Sequence, residues 1–137
     1  MNHPQSRKVL VVDDEEVVRE VLGEFLTLLG FQSEEAGNGS SGLRAIETAD
    51  YCAAFADIRM PELDGIGFLR KTRQIRPDLP VIIITGHGCD DTLQEAMSAG
   101  AFAFLRKPFR FHQVRAILES LASLEKKGGC PALESAV

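Results

Sequence analysis

The chain has no tryptophan, one tyrosine and only three cysteines in 137 residues. Cys52, Cys89 and Cys130 have neither the density of a disulfide scaffold nor the paired spacing of a zinc site. Cys52 lies in an apolar run and is expected to pack as a small core hydrophobe. No apolar run approaches the roughly 20 residues of a membrane-spanning helix, and Met1 to Lys8 lacks an apolar signal core. Positive charge is also scarce: 15 Lys and Arg stand against 20 Asp and Glu, a net charge of −5. With no basic stripe either, direct nucleic-acid binding is not expected. These absences leave a reduced, cytoplasmic protein as the expectation. Apolar content of 45% and charged content of 26% describe an ordinary globular chain. Its length suits one domain that buries roughly two thirds of its unfolded surface.

Strand and helix patterns alternate five times. Lys8 to Val12 is a β-branched run ending in Asp13 and Asp14. Glu15 to Leu29 then places Val18, Val21, Leu22, Phe25, Leu26 and Leu29 at helical spacing, with Gly30 as the stop. Phe31 to Ala36 is short and carries Glu34 and Glu35, which suits a guarded edge strand. A turn at Gly37 to Ser40 precedes a weaker helix through Leu43, Ala45, Ile46 and Ala49. Tyr51 to Asp57 is a small, apolar run of strand length with no polar alternation, as in the middle of a parallel sheet. Pro61 opens a third helix, expected over Glu62 to Arg76 with Leu63, Ile66, Leu69 and Ile75 inward. Gly65 and Gly67 weaken its first turns by up to about 1 kcal/mol each relative to Ala. Pro80 to Thr85 is the clearest buried strand. Asp90 to Ala99 is a short helix through Leu93, Ala96 and Met97, stopped by Gly100. Ala101 to Leu105 is the last strand, and Phe111, Val114, Ile117, Leu118 and Leu121 mark the final helix.

Five βα units in a row predict one parallel sheet with helices on both faces. The length and the acidic second strand favour a flavodoxin-like, doubly wound five-stranded sheet in the order 2-1-3-4-5 over a barrel. The ends of strands one, three, four and five then sit side by side. They carry Asp13 and Asp14, Asp57, Thr85, and Lys107 just beyond the fifth. Crowded carboxylates repel one another, so a cation belongs among them; all-oxygen ligands point to Mg²⁺. A carboxylate, Mg²⁺, a lysine and a hydroxyl together suit a transferring phosphoryl group. Asp57 can itself be the nucleophile and become an aspartyl phosphate.

Val11-Val12-Asp13-Asp14-Glu15, Asp57-Ile58-Arg59-Met60-Pro61 with Asp64-Gly65, Thr85-Gly86, and Lys107-Pro108-Phe109 resemble the receiver domain of two-component response regulators. The resemblance spans about residues 7 to 125 with every motif in order. It implies that Asp57 accepts phosphate from a phosphohistidine on a sensor histidine kinase or phosphotransfer protein. It implies Mg²⁺ on Asp14, Asp57 and the main-chain carbonyl of Arg59, with Asp13 acting through water. Lys107 would pair with the phosphoryl oxygens, Thr85 would close onto them, and Phe104 takes the place of the switch aromatic. Arg59 and His87 stand where family members tune dephosphorylation. Phe104 lacks the hydroxyl of the commoner Tyr, so its switch would work by ring packing. Ala103 stands where many DNA-binding members carry an acid, which disfavours an ion-paired dimer and leaves a packing-based homodimer or partner contact, to which Phe102 would add an apolar patch.

Each feature also has a plain reading. An Asp-Asp pair after a strand is often a helix cap, Phe104 could be core, and His3, His87 and His112 could be surface residues. The joint occurrence at four strand ends favours function. A switch rather than a turnover enzyme is expected, at most catalysing its own phosphorylation and dephosphorylation. The alternatives are a Mg²⁺-dependent phosphohydrolase with an aspartate nucleophile, or a structural adaptor that is not phosphorylated. Haloacid-dehalogenase-type hydrolases place a second Asp two residues after the nucleophile, where this chain has Arg59. The intact acidic cluster and Lys107 argue against the adaptor. The expected organisation is a flexible N-terminus over 1–7, a receiver over 8–125, and a tail or linker over 126–137 that leads to a downstream output domain or partner.

Overall fold

The computed structural model describes residues 7–86 and 90–126. The elements run β1 (Lys8–Val12), α1 (Glu16–Leu28), β2 (Gln32–Ala36), α2 (Gly39–Thr48) and β3 (Ala53–Asp57). They continue with α3 (Gly65–Ile75), β4 (Val81–Thr85), α4 (Asp90–Ser98), β5 (Ala103–Arg106) and α5 (Phe111–Lys126). The strands form one parallel sheet in the order β2-β1-β3-β4-β5, the flavodoxin-like arrangement expected from the βα repeat. Among the described residues no helix is long and apolar enough to cross a membrane.

Both faces of the sheet are covered, which is why the interior positions of its central strands are apolar. Val9, Val11, Ala53, Phe55, Ile82, Ile84 and Leu105 point to one layer with Leu22 and Leu26 of α1 and Val114, Leu118 and Leu121 of α5. Leu10, Val12, Ala54, Ala56, Val81 and Ile83 point to the other, with Ile46 of α2, Ile66, Phe68 and Leu69 of α3, and Ala96 of α4. Residues such as Phe55 and Ile83 are wholly buried, each stabilising the fold by about 1.5–3 kcal/mol.

Several expected boundaries move, each for a local reason. The third helix begins at Gly65 and not at Glu62, because Asp64 is its N-cap and accepts from the Gly67 N–H at 2.8 Å. Pro61 therefore lies before the helix, and Glu62 takes a left-handed φ of 70°. α2 begins at Gly39, inside the expected turn, because the Asn38 side chain accepts from the Ser41 N–H. β2 and β5 start later than expected because the preceding helices end in glycine caps. Gly30 and Gly100 both have positive φ, and the next residues, Phe31 and Ala101, donate back to Leu26 and Ala96. Three apolar residues expected inward, Val21, Ile75 and Met97, are exposed instead. On α1 the buried face runs through Leu22, Gly23 and Leu26, and on α3 through Phe68, Leu69 and Thr72. Phe102 is half-buried and packs partly against the α1–α5 layer. Cys52 is half-buried against the same layer, and His112 is exposed. His3, His87, Cys89 and Cys130, with most of the expected N-terminal and C-terminal tails, lie outside the described residues.

Candidate functional site

The site lies at the carboxyl ends of β1, β3 and β4 and in the turn that follows β5. Asp57 is the last residue of β3 and is 4% exposed, so an ionisable group stands at the edge of the core. Its Oδ1 accepts from the Arg59 N–H at 3.1 Å. Its Oδ2 accepts from Lys107 Nζ at 2.9 Å. The strand end is held from both directions, by Ile58 N–H on the Ile84 carbonyl and Gly65 N–H on the Ile58 carbonyl. α3 comes so close here that a Cβ on Gly65 would lie 2.4 Å from the Asp57 carbonyl oxygen.

Asp13 is completely buried beside it. One carboxylate oxygen accepts from the Glu15 N–H at 2.9 Å. The other is buried with no hydrogen-bond partner and lies 3.6 Å from Lys107 Nζ. Burial pushes the Asp13 carboxyl up to about 6, and the neighbouring Asp57 charge adds to this, while the Glu15 N–H and Lys107 oppose it. Asp14 is exposed, and one carboxylate oxygen each from Asp13, Asp14 and Asp57 fall within 4.8 Å of one another. An orphaned buried oxygen among three converging carboxylates fits a hard divalent cation bound by oxygen.

Lys107 draws the cluster together. Its Nζ contacts Asp57 at 2.9 Å, Glu15 at 3.0 Å and Asp13 at 3.6 Å. Burial alone would lower its pKa. The hydrogen bonds to Asp57 and Glu15, with the charges of Asp57 and Asp13, outweigh that and raise it above the ordinary lysine value. Its N–H donates to the Thr85 carbonyl at 2.8 Å, which registers the β5–α5 turn against the end of β4. Thr85 is buried at that strand end. Phe104 is half-buried on the α2–α3–α4 side of the sheet. It pairs with Ile83 across the ladder, while Thr85 pairs with Arg106, so Phe104 and Thr85 point to the same face.

The expected residues Asp13, Asp14, Asp57 and Lys107 are thus brought together. Arg59 contributes its main chain to Asp57 while its side chain is exposed. It lines an open groove of about 400 Å³ together with Asp14, Ile58, Met60, Pro61 and Asp64. His87 falls outside the described residues. Sequence reasoning gave no role to Glu15, whose carboxylate reaches Lys107 although 92 residues separate them in the chain. The only hint was its place directly after the Asp13-Asp14 pair.

Known proteins match the chain in both sequence and structure. A family model described as the response regulator receiver domain matches residues 9–119. The chain is 35% identical over 118 residues to the regulatory protein AtoC of Escherichia coli (strain K12), covering 86% of this chain and 26% of AtoC. It is 37% identical over 115 residues to the DNA-binding transcriptional regulator NtrC of Escherichia coli (strain K12), covering 84% and 24%. The chain spans about a quarter of the length of these relatives. A response regulator receiver domain protein from Clostridium thermocellum superposes with a TM-score of 0.81 at 32% identity, covering 88% of this chain and 97% of that one. A CheY-like receiver domain protein from Methanospirillum hungatei gives 0.84 at 28% identity, covering 91% and 100%.

Proposed function

The chain belongs to the response regulator receiver family, and from that premise we propose that it is a phosphorylation-dependent signalling switch whose phosphoacceptor is Asp57. Receiver domains of response regulators are signalling domains. The observation that carries the reading is the contact set of Asp57: a buried strand-end carboxylate, 2.9 Å from a lysine ammonium and within reach of two further acids.

A carboxylate oxygen of Asp57 attacks the phosphorus of a phosphohistidine on a sensor histidine kinase or phosphotransfer protein. The O–P bond forms as the P–N bond breaks, and the electron pair leaves on the imidazole nitrogen. Lys107 already faces Asp57 and pairs with the phosphoryl oxygens, and the Thr85 hydroxyl donates to them. Asp13, Asp14, Asp57 and the main-chain carbonyl of Arg59 would hold Mg²⁺. Bound there, the ion supplies positive charge that offsets repulsion between the carboxylates and the incoming anion. The Arg59 side chain, at the groove beside Asp14, governs how readily water reaches the acyl phosphate, and we assign His87 the same role. The receiver occupies 8–125, with 126–137 as a tail toward an output domain or separate partner. The greater length of the relatives supports an attached output.

Incubation with a small phosphodonor and Mg²⁺ should add the mass of one phosphoryl group to the intact protein. Asp57→Asn or a chelator should abolish the addition. Undiminished labelling of Asp57→Asn would refute the assignment.

A further inference from the structure

Arg19 lies on α1, outside the acidic cluster, yet its guanidinium reaches back to the loop that carries it. Nη1 donates to the main-chain carbonyl of Asp13 at 2.7 Å. Nε pairs with Glu35 Oε1 of β2 at 2.8 Å, and the Arg19 side chain is 18% exposed. The Asp13 N–H in turn donates to the Ala36 carbonyl at 3.1 Å, at the end of that same strand. Both main-chain polar groups of Asp13 are therefore tied to the end of β2, one directly and one through the planar fork of Arg19. A lysine ammonium cannot reproduce that two-pronged contact. Asp14 follows Asp13 in the chain and is exposed, so the loop backbone sets where its carboxylate points.

Glu35 has a partner other than solvent, and guarding a sheet edge needs no such pairing. The charge-assisted bond from Arg19 to the Asp13 carbonyl fixes the segment from which two of the three converging carboxylates project. Groups behind metal ligands typically change metal affinity by about 10–100-fold when removed.

We propose that Arg19, braced by Glu35, is a positioning residue that holds the Asp13–Asp14 loop for divalent cation binding. This rests on the functional reading above. The test is calorimetric titration of the full chain with Mg²⁺, alongside thermal unfolding in chelator. Arg19→Gln is expected to raise the Mg²⁺ Kd by about tenfold, with Arg19→Lys intermediate and Glu35→Gln weaker in the same direction. The Arg19→Gln, Glu35→Gln double variant should be no worse than Arg19→Gln alone, because the two residues act as one unit. A Kd within about twofold of wild type for Arg19→Gln, with only the unfolding midpoint in chelator lowered, would overturn the proposal and leave a plain structural brace. A wild-type chain that takes up no Mg²⁺ would instead defeat the functional reading itself, and this inference with it.

Discussion

Asp13 sits in an environment that suits a bound cation better than the bare protein. Its second carboxylate oxygen is buried without a hydrogen-bond partner, and Asp57 lies beside it. Burial raises its pKa from 3.8 to about 6, so the folded chain holds that proton more tightly than the unfolded chain does. The stability this group contributes is present below about pH 4 and lost as pH rises through about 6. In chelator at pH 8, Asp13→Asn is therefore expected to stabilise the fold by about 1–2 kcal/mol. The gain should shrink toward pH 4 and when Mg²⁺ is added to both proteins. Denaturant midpoints at the two pH values, with and without Mg²⁺, check this; an unchanged or lowered midpoint at pH 8 would mean that Asp13 is not under strain. At this scale much was legible in the sequence. Asp13, Asp57, Thr85 and Lys107 were visible because strand ends in a parallel sheet are forced together. Glu15 and Arg19 were not, because a side chain reaching back from a helix start to a loop leaves no periodic trace.

Among the elements, α3 shows how a rule for one level can mislead at the next. Read from propensity, Gly65 weakens a helix, and Ala should improve it by up to about 1 kcal/mol. The structure reverses the sign, because a Cβ there would meet the Asp57 carbonyl oxygen at 2.4 Å and the Ile58 Cα at 2.7 Å. Neither is a flexible side-chain end, so the helix or the phosphoacceptor strand would have to move. Gly65→Ala is expected to destabilise by about 1–3 kcal/mol or more and to lower Mg²⁺ affinity by displacing Asp57. Thermal unfolding and Mg²⁺ titration of that variant measure both effects. A more stable protein would show that propensity governs this position. A small residue also shares the buried face of α1. A count of apolar side chains cannot register Gly23 of α1, which is buried close to Ser33 of β2 beside Leu22, while Val21 is exposed. By contrast β1 falls where its apolar run placed it, since Val9 to Val12 are all buried and the strand has no face to choose.

At the scale of the whole molecule, the proposed switch would turn a charge at one end of β3 into an event on another surface. Phosphorylation adds about −1.5 to −2 charges beside acids that already repel anions. Lys107 and Thr85 are the groups placed to answer it, and Thr85 shares its sheet face with Phe104 on the neighbouring strand. On this proposal, drawing Thr85 toward the phosphoryl group would free space into which the Phe104 ring can pack. The ring carries no hydroxyl, so on this proposal packing alone would move α4, β5 and the start of α5. The proposed change is a shift between two existing states, driven by contacts that only one of them would make with the phosphoryl group. The most direct test is a map of amide NMR shifts with and without a phosphoryl mimic and Mg²⁺, on wild type, Asp57→Asn and Lys107→Ala. In wild type the shifts should extend from the loops at Asp14, Asp57 and Lys107 into α4 and β5. Those in α4 and β5 should vanish in Asp57→Asn, and in Lys107→Ala the shifts should stay confined to the loops. Wild-type shifts limited to those loops, with α4, β5 and α5 silent and association unchanged, would contradict the switch.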